Sequence, residues 1–252
     1  MTETDNALTN LSQEDISSKS DTRKLVKALA SARKALLALQ KKDGHWCFPL
    51  EADCTIPAEY ILMMHFMDDI DTDLEIKIAR FIRTKQDKEH GGWPLYYGGH
   101  FDISCTVKAY YALKLAGDSQ DAPHMVAART AILSNGGASK TNVFTRILLA
   151  MYEQLPWRGV PFMPVEIILL PKWFPFHLSK IAYWSRTVTV PLTILCSLRA
   201  KAANPHKISI LELFTIDPEK ERNYFPVRTP LNRLFLFIER TASIFEPFIP
   251  NI

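Results

Sequence analysis

Carboxylates are the plainest source of acid chemistry in this chain, and Asp68-Asp69-Ile70-Asp71-Thr72-Asp73 is its only acidic cluster. Its place between two helical stretches reads as a solvated turn, with Asp71 or Thr72 capping the helix that follows. The other reactive types are scattered. Cys47, Cys54, Cys105 and Cys196 form no C-x-x-C pair and follow no signal-peptide core. They read as reduced cysteines that pack as small hydrophobes in a cytoplasmic protein. The histidines give no H-E-x-x-H and no Cys/His set at metal-ligand spacing, so no metal site and no cofactor is expected. No Gly-x-Ser-x-Gly, P-loop or Gly-x-Gly-x-x-Gly element is present, which leaves hydrolase, kinase and dehydrogenase chemistry without a carrier.

What does repeat is a set of Gln, Gly and Trp residues. Gln40, Gly44 and Trp46 return as Gln86, Gly91 and Trp93, each set closing a helical stretch, with the tryptophans 47 residues apart. That period suggests a helical-hairpin repeat. The amide of each Gln can bond backbone groups freed at a helix end. Trp stacks beneath it, and Gly permits the sharp turn that brings the two together. Asn135-Gly136-Gly137 ends a third copy that has lost its Trp.

The elements that must hold these residues are helices. Apolar residues recur at helical spacing through residues 22–40, 57–67, 74–82, 104–116, 122–134 and 142–154, with Gly, Pro or Asp between them. No stretch alternates long enough for a strand, so the fold class is all-α. The first 22 residues are polar and read as a disordered tail, leaving one domain over 23–252. Past Pro156 the chain turns proline-rich and aromatic. Residues 231–252 are apolar with Arg228, Arg233 and Arg240 beside them, a stretch suited to a bilayer interface or to packing beneath another domain. The 252 residues carry 30 basic and 27 acidic side chains, a balance too even to argue for a nucleic-acid partner.

The repeated Gln-then-Gly-x-Trp endings resemble the QW motifs of triterpene cyclases, and the likeness is closest to squalene–hopene cyclases. It continues in Ala58-Glu59-Tyr60-Ile61-Leu62, in Gly92-Trp93-Pro94-Leu95-Tyr96-Tyr97-Gly98-Gly99 and in Thr106-Val107-Lys108-Ala109-Tyr110-Tyr111. Val143-Phe144-Thr145-Arg146, Pro164-Val165-Glu166-Ile167 and Tyr183-Trp184-Ser185-Arg186 extend it over roughly residues 20 to 250.

The resemblance implies a partial α/α barrel, or toroid, of the triterpene cyclase type, without the second barrel. It implies a monotopic enzyme on the cytoplasmic side of the membrane that cyclises squalene or a related polyprene to hopene or hopanol, in hopanoid biosynthesis. The family's Asp-x-Asp-Asp proton donor belongs to the second half and is missing here, so no catalytic residue is assigned and activity would need the C-terminal half, in cis or in trans. The partners implied are the polyprene, the membrane surface, that C-terminal half and a second copy of the chain.

By the same resemblance Trp184 lines the substrate cavity, where an aromatic face can stabilise a carbocation. Glu59 matches a carboxylate of the water network near the deprotonation end. Lys108 and Asn142 depart from the family's pattern of carboxylate and arginine at their positions, which leaves that network unassigned. Gln40, Gly44, Trp46, Gln86, Gly91 and Trp93 are structural. The rival reading is a non-catalytic helical-repeat protein that binds lipid or a partner through its apolar last third.

Overall fold

The acidic cluster turns out to be the joint between two helices, and it shows how the chain is punctuated. In a computed structural model that describes residues 3–48, 53–175, 177–225, 233, 237 and 241, α2 runs from Thr55 to Met67 and α3 from Thr72 to Thr84. Asp68 ends α2 in the left-handed conformation, and Asp69 N–H closes back on the Met64 carbonyl. Aspartate is among the few residues besides glycine that adopt this conformation readily. Asp71 then caps α3, its carboxylate accepting from Leu74 N–H at 3.0 Å. The cluster is helix-end chemistry, as the sequence suggests.

The chain divides into two units, Met1–Glu51 and Ala52–Ile252. The first holds α1, Glu3–Ala38, and the turn after it. Sequence reasoning begins this helix near Thr22 and leaves a disordered tail before it. In the structure helix extends from Glu3, and no Gly or Pro stands between Glu3 and Ala38 to interrupt it.

The second unit adds α4 (Ile103–Leu115), α5 (Pro123–Ser134), α6 (Val143–Met151) and α7 (Tyr183–Ser197). All regular structure among the described residues is helical. The helices from α2 to α6 match the expected segments because their boundaries are local. Asp102 and Asn142 cap α4 and α6 through their side chains, and Pro123 occupies the first turn of α5.

α4 is the centre of the unit. It packs on α2, α3 and α5, and Ser104 through Leu113 are buried without a gap. A helix buried on all sides needs no amphipathic stripe. Around it lie Ile61, Leu62, Ile82, Trp93, Met125, Ile132 and Ile147, all essentially inaccessible. His65 and Glu75 tie α2 to α3 inside this core through a 2.6 Å contact.

The polar stretch after Ala200 is anchored to the same core. Ile210 and Leu213 are buried in a short 3-10 turn, Leu211–Leu213, while Gln154 accepts from Ile210 N–H and the Ser209 hydroxyl. Arg146 is buried and donates to the carbonyls of Gly159 and Tyr224. Within the proline-rich region α7 forms in spite of Pro191, which removes one ladder hydrogen bond from the helix interior. The apolar stretch 231–252 lies outside the described residues, apart from 233, 237 and 241.

Candidate functional site

Both Gln–Trp sets close their helices with the same hydrogen bonds. Trp46 Nε1 donates to the Leu36 carbonyl at 2.7 Å, and Trp93 Nε1 donates to the Ile82 carbonyl at 2.8 Å. Each acceptor lies four residues before its Gln, in the last turn of α1 or α3, where the carbonyl also takes a tighter 3-10-type bond, from Leu39 N–H or Lys85 N–H at 3.1 Å. Gln40 Nε2 donates to the Gly44 carbonyl at 2.6 Å, and Gln86 Nε2 to the Gly91 carbonyl at 2.7 Å. In both, the residue after Gln donates its N–H to the carbonyl just before Trp: Lys41 to His45, and Asp87 to Gly92, each at 2.9 Å.

The two loops differ by one residue in length, yet the bonding pattern is the same in both. Gly44 and Gly91 have φ of +91° and +72°, where a β-carbon is disfavoured. One expectation is corrected in detail. The Gln amide holds the loop, and it is the indole that caps the helix.

The second set also reaches its neighbours. Gln86 Nε2 donates again, to the His124 carbonyl in the first turn of α5 at 2.8 Å. Trp93 N–H meets the Thr106 hydroxyl of α4 at 3.0 Å, and the Trp93 side chain is 0% exposed. Beside it Arg83, Asp118 and His124 form a triad. Arg83 clasps Asp118 with two nitrogens, and His124 Nε2 contacts the same carboxylate at 2.7 Å. Burial opposes the Asp118 charge, but the bonds from Arg83 and His124 outweigh it and hold the carboxyl below its usual pKa. Nothing in the spacing announces this triad, since Arg83 and Asp118 stand 35 residues apart.

The third, Trp-less copy is closed by backbone bonds and by the Asn135 amide, whose Nδ2 donates to the Ala131 carbonyl at 2.8 Å. Gly137 N–H donates to the Ile132 carbonyl at 2.9 Å, the place in α5 that corresponds to Ile82 in α3. Gly137 has φ of +78°, and a β-carbon there would lie 2.9 Å from the Leu213 carbonyl oxygen.

Glu59 and Lys108 are brought together. Lys108 Nζ lies 2.8 Å from Glu59 Oε1, with side chains 5% and 44% exposed. Asn142 stands near the same face of α4, its N–H bonded to the Ser104 hydroxyl at 2.9 Å one turn before Lys108. Its side chain is engaged as the cap of α6. Trp184 belongs to a different part of the unit, in the first turn of α7, and is 72% exposed. Among the described residues no group of three or more His, Cys, Asp or Glu side chains could hold a metal ion. No helix among them is long and apolar enough to cross a membrane.

The squalene-hopene cyclase N-terminal domain matches residues 29–252. The squalene–hopene cyclase of Bradyrhizobium diazoefficiens is 52% identical over 238 residues, covering 92% of this chain and 36% of its own length. That of Schizosaccharomyces japonicus is 48% identical over 229 residues, covering 90% and 35%. The Alicyclobacillus acidocaldarius enzyme is 38% identical over 204 residues, covering 79% and 32%. The chain thus spans about a third of the length of the curated relatives it matches. It belongs to the squalene–hopene cyclase family and corresponds to that family's N-terminal domain.

Proposed function

We propose that this domain serves squalene cyclisation as one part of a squalene–hopene-type cyclase and supplies scaffold and cavity wall, while the proton donor comes from the C-terminal part. The observation that carries the reading is the match of residues 29–252 to the family's N-terminal domain, with relatives at about half identity. Protonating an alkene calls for a strong acid held away from water, and the cation that forms survives only among aromatic and apolar walls. The Asp-x-Asp-Asp acid of the family has no counterpart in this sequence. Trp184 is the wall residue of this part. Glu59, compensated by Lys108, is the polar group nearest the end where the last cation loses its proton or takes up water. The α/α toroid, association with the cytoplasmic face of the membrane and a dimeric state belong to the same reading.

A squalene turnover assay in detergent tests it. The chain is assayed alone and mixed with the separately expressed C-terminal part of the Bradyrhizobium diazoefficiens enzyme. Hopene from the mixture only is the expected result. Hopene from the chain alone would overturn the assignment of the acid and redirect attention to residues 68–73. No hopene from a mixture of two folded parts would favour a non-catalytic helical-repeat protein that binds lipid or a partner.

A further inference from the structure

Residues 208–224 cross the core as an irregular strap whose only regular element is the short turn Leu211–Leu213. The bonds that fasten it divide by direction. Outward, the strap offers carbonyls to side chains of the core: Ile208 to the Tyr111 hydroxyl at 2.9 Å, Ser209 to Lys114 Nζ at 2.6 Å, Pro218 to Arg158 Nη2 at 3.1 Å and Tyr224 to Arg146 Nη1 at 2.8 Å. Glu212 adds its carboxylate, which takes bonds from Lys114 and from the Tyr110 hydroxyl of α4. Inward, the strap closes its own turns. Leu213 and Phe214 donate their N–H groups to the Ile210 and Leu211 carbonyls, and Lys220 and Glu221 donate theirs to that of Asp217.

A segment held this way lifts without breaking a helix or sheet ladder, because its carbonyls and the side chains that held them pass directly to water. Its apolar hold is also slight. Ile210, Leu213, Pro218 and Tyr224 are buried, against the unbroken buried run Ser104–Leu113 in α4. Local stability follows the density of such contacts, so the strap is the weaker of the two.

The fastenings form two knots, one on α4 through residues 208–212 and one on Arg146 and Arg158 through residues 218–224. Tyr224 tightens the second by donating its hydroxyl to the Pro218 carbonyl at 2.9 Å. So few residues separate the knots that each holds the other at high effective concentration, and loosening one loosens both. Before the strap, Ala202 and Asn204 N–H groups pin the chain to the Met151 and His65 carbonyls at 2.8 and 3.1 Å. Lys207, with φ of +52° in the region that favours glycine, makes the bend between this pin and the strap.

We infer that residues 208–224 are a latch that opens and closes as one cooperative piece while the α2–α6 core stays folded, with its pivot at residues 202–207 and Glu212 as its main fastening. Closed, the latch fixes the span between the end of α7 and Phe225. Open, it frees each from the other. None of this depends on the reaction proposed above.

Hydrogen exchange of the whole chain, followed by mass spectrometry, tests the latch. In the unsubstituted chain, peptides covering 208–214 and 217–224 should lose protection together, at least about tenfold faster than the 104–113 peptide of α4 once intrinsic rates are divided out. Glu212→Gln keeps the shape of the side chain and removes the charge that holds Lys114; it should speed both strap peptides by about tenfold. Arg158→Gln, at the opposite end, should do the same, and neither should alter α4.

Acceleration confined to the substituted end would overturn the latch, since the two knots would then open separately. Equal acceleration of α4 would overturn it as well, because the strap would open only with the whole unit, and so would no acceleration at either end. Circular dichroism checks that the variants are folded. Should either fail to fold, the unsubstituted chain decides alone: strap and α4 peptides that exchange with the same protection reject the proposal.

Discussion

Lys108 of α4 and Glu59 of α2 form an ion pair whose two ends stand in different surroundings: the ammonium is buried and the carboxylate is half open. Substituting one end is therefore not equivalent to substituting the other. Glu59→Ala strands a buried cation and should cost about 2 kcal/mol, below the 3–5 typical of fully buried pairs because the site is partly open. Lys108→Met leaves a carboxylate that water can solvate, and should cost under about 1 kcal/mol. Urea unfolding of the two variants measures the difference, and equal losses would contradict it.

The Trp93 and Gln86 bonds hold one turn from two sides, so their losses should overlap. Trp93→Phe removes the indole donor from the Ile82 carbonyl, which keeps only its bond from Lys85 N–H, and opens a small void, for about 2 kcal/mol. Gln86→Leu frees the Gly91 carbonyl and takes a second donor from that of His124, for about 2 kcal/mol. The double variant should lose less than the sum by about 1 kcal/mol, as expected for residues in one network. A full double-mutant cycle on thermal stability gives the coupling directly; strict additivity would mean that the turn does not act as a unit.

Asp118 gives the domain an acid-sensitive joint. Its folded pKa lies below the ordinary 3.8, so it favours the folded state above 3.8, and the contribution disappears as pH falls through the folded value. Asp118→Asn should lower stability by about 2 kcal/mol at neutral pH. The gap to the unsubstituted chain should stay constant down to about pH 5 and narrow below 3.8. Melting curves across about pH 3 to 7 test this, and a gap that persists undiminished at the acid end would remove Asp118 from the account.

The cysteines should divide by exposure. Burial, aided by neighbouring Cys105 and Asp53, pushes the Cys54 thiol up to about 12, and burial pushes Cys105 up to about 11. Cys47 is exposed. Since the thiolate is the reactive form, iodoacetamide at about pH 8 should label Cys47 readily and leave Cys54 and Cys105 untouched until denaturant is added. Peptide mass mapping reads the result; comparable labelling of Cys54 and Cys47 in the native chain would show that the α2–α4 core is open.

Local pattern in the sequence was enough for the all-α class, the helices from α2 to α6, the capping role of Asp71 and the repeated Gln–Gly–Trp endings. Each depends on residues within a turn or two of one another, where propensity, capping and glycine conformation act. The motifs around them carried the resemblance to the family in which the comparison places the chain.

Only the folded chain reveals the partnerships between distant residues: Lys108 with Glu59 across 49 positions, and Arg83 and His124 on Asp118. It also settled that the indole rather than the Gln amide caps the helix, because spacing fixes which residues meet and not which atom faces which. α7 was illegible from local pattern, since it lies in the stretch past Pro156 that is proline-rich and aromatic throughout and carries Pro191 inside the helix. Its helix emerges only from packing, and so does the exposure of Trp184, whose aromatic character was plain in the sequence and whose position was not.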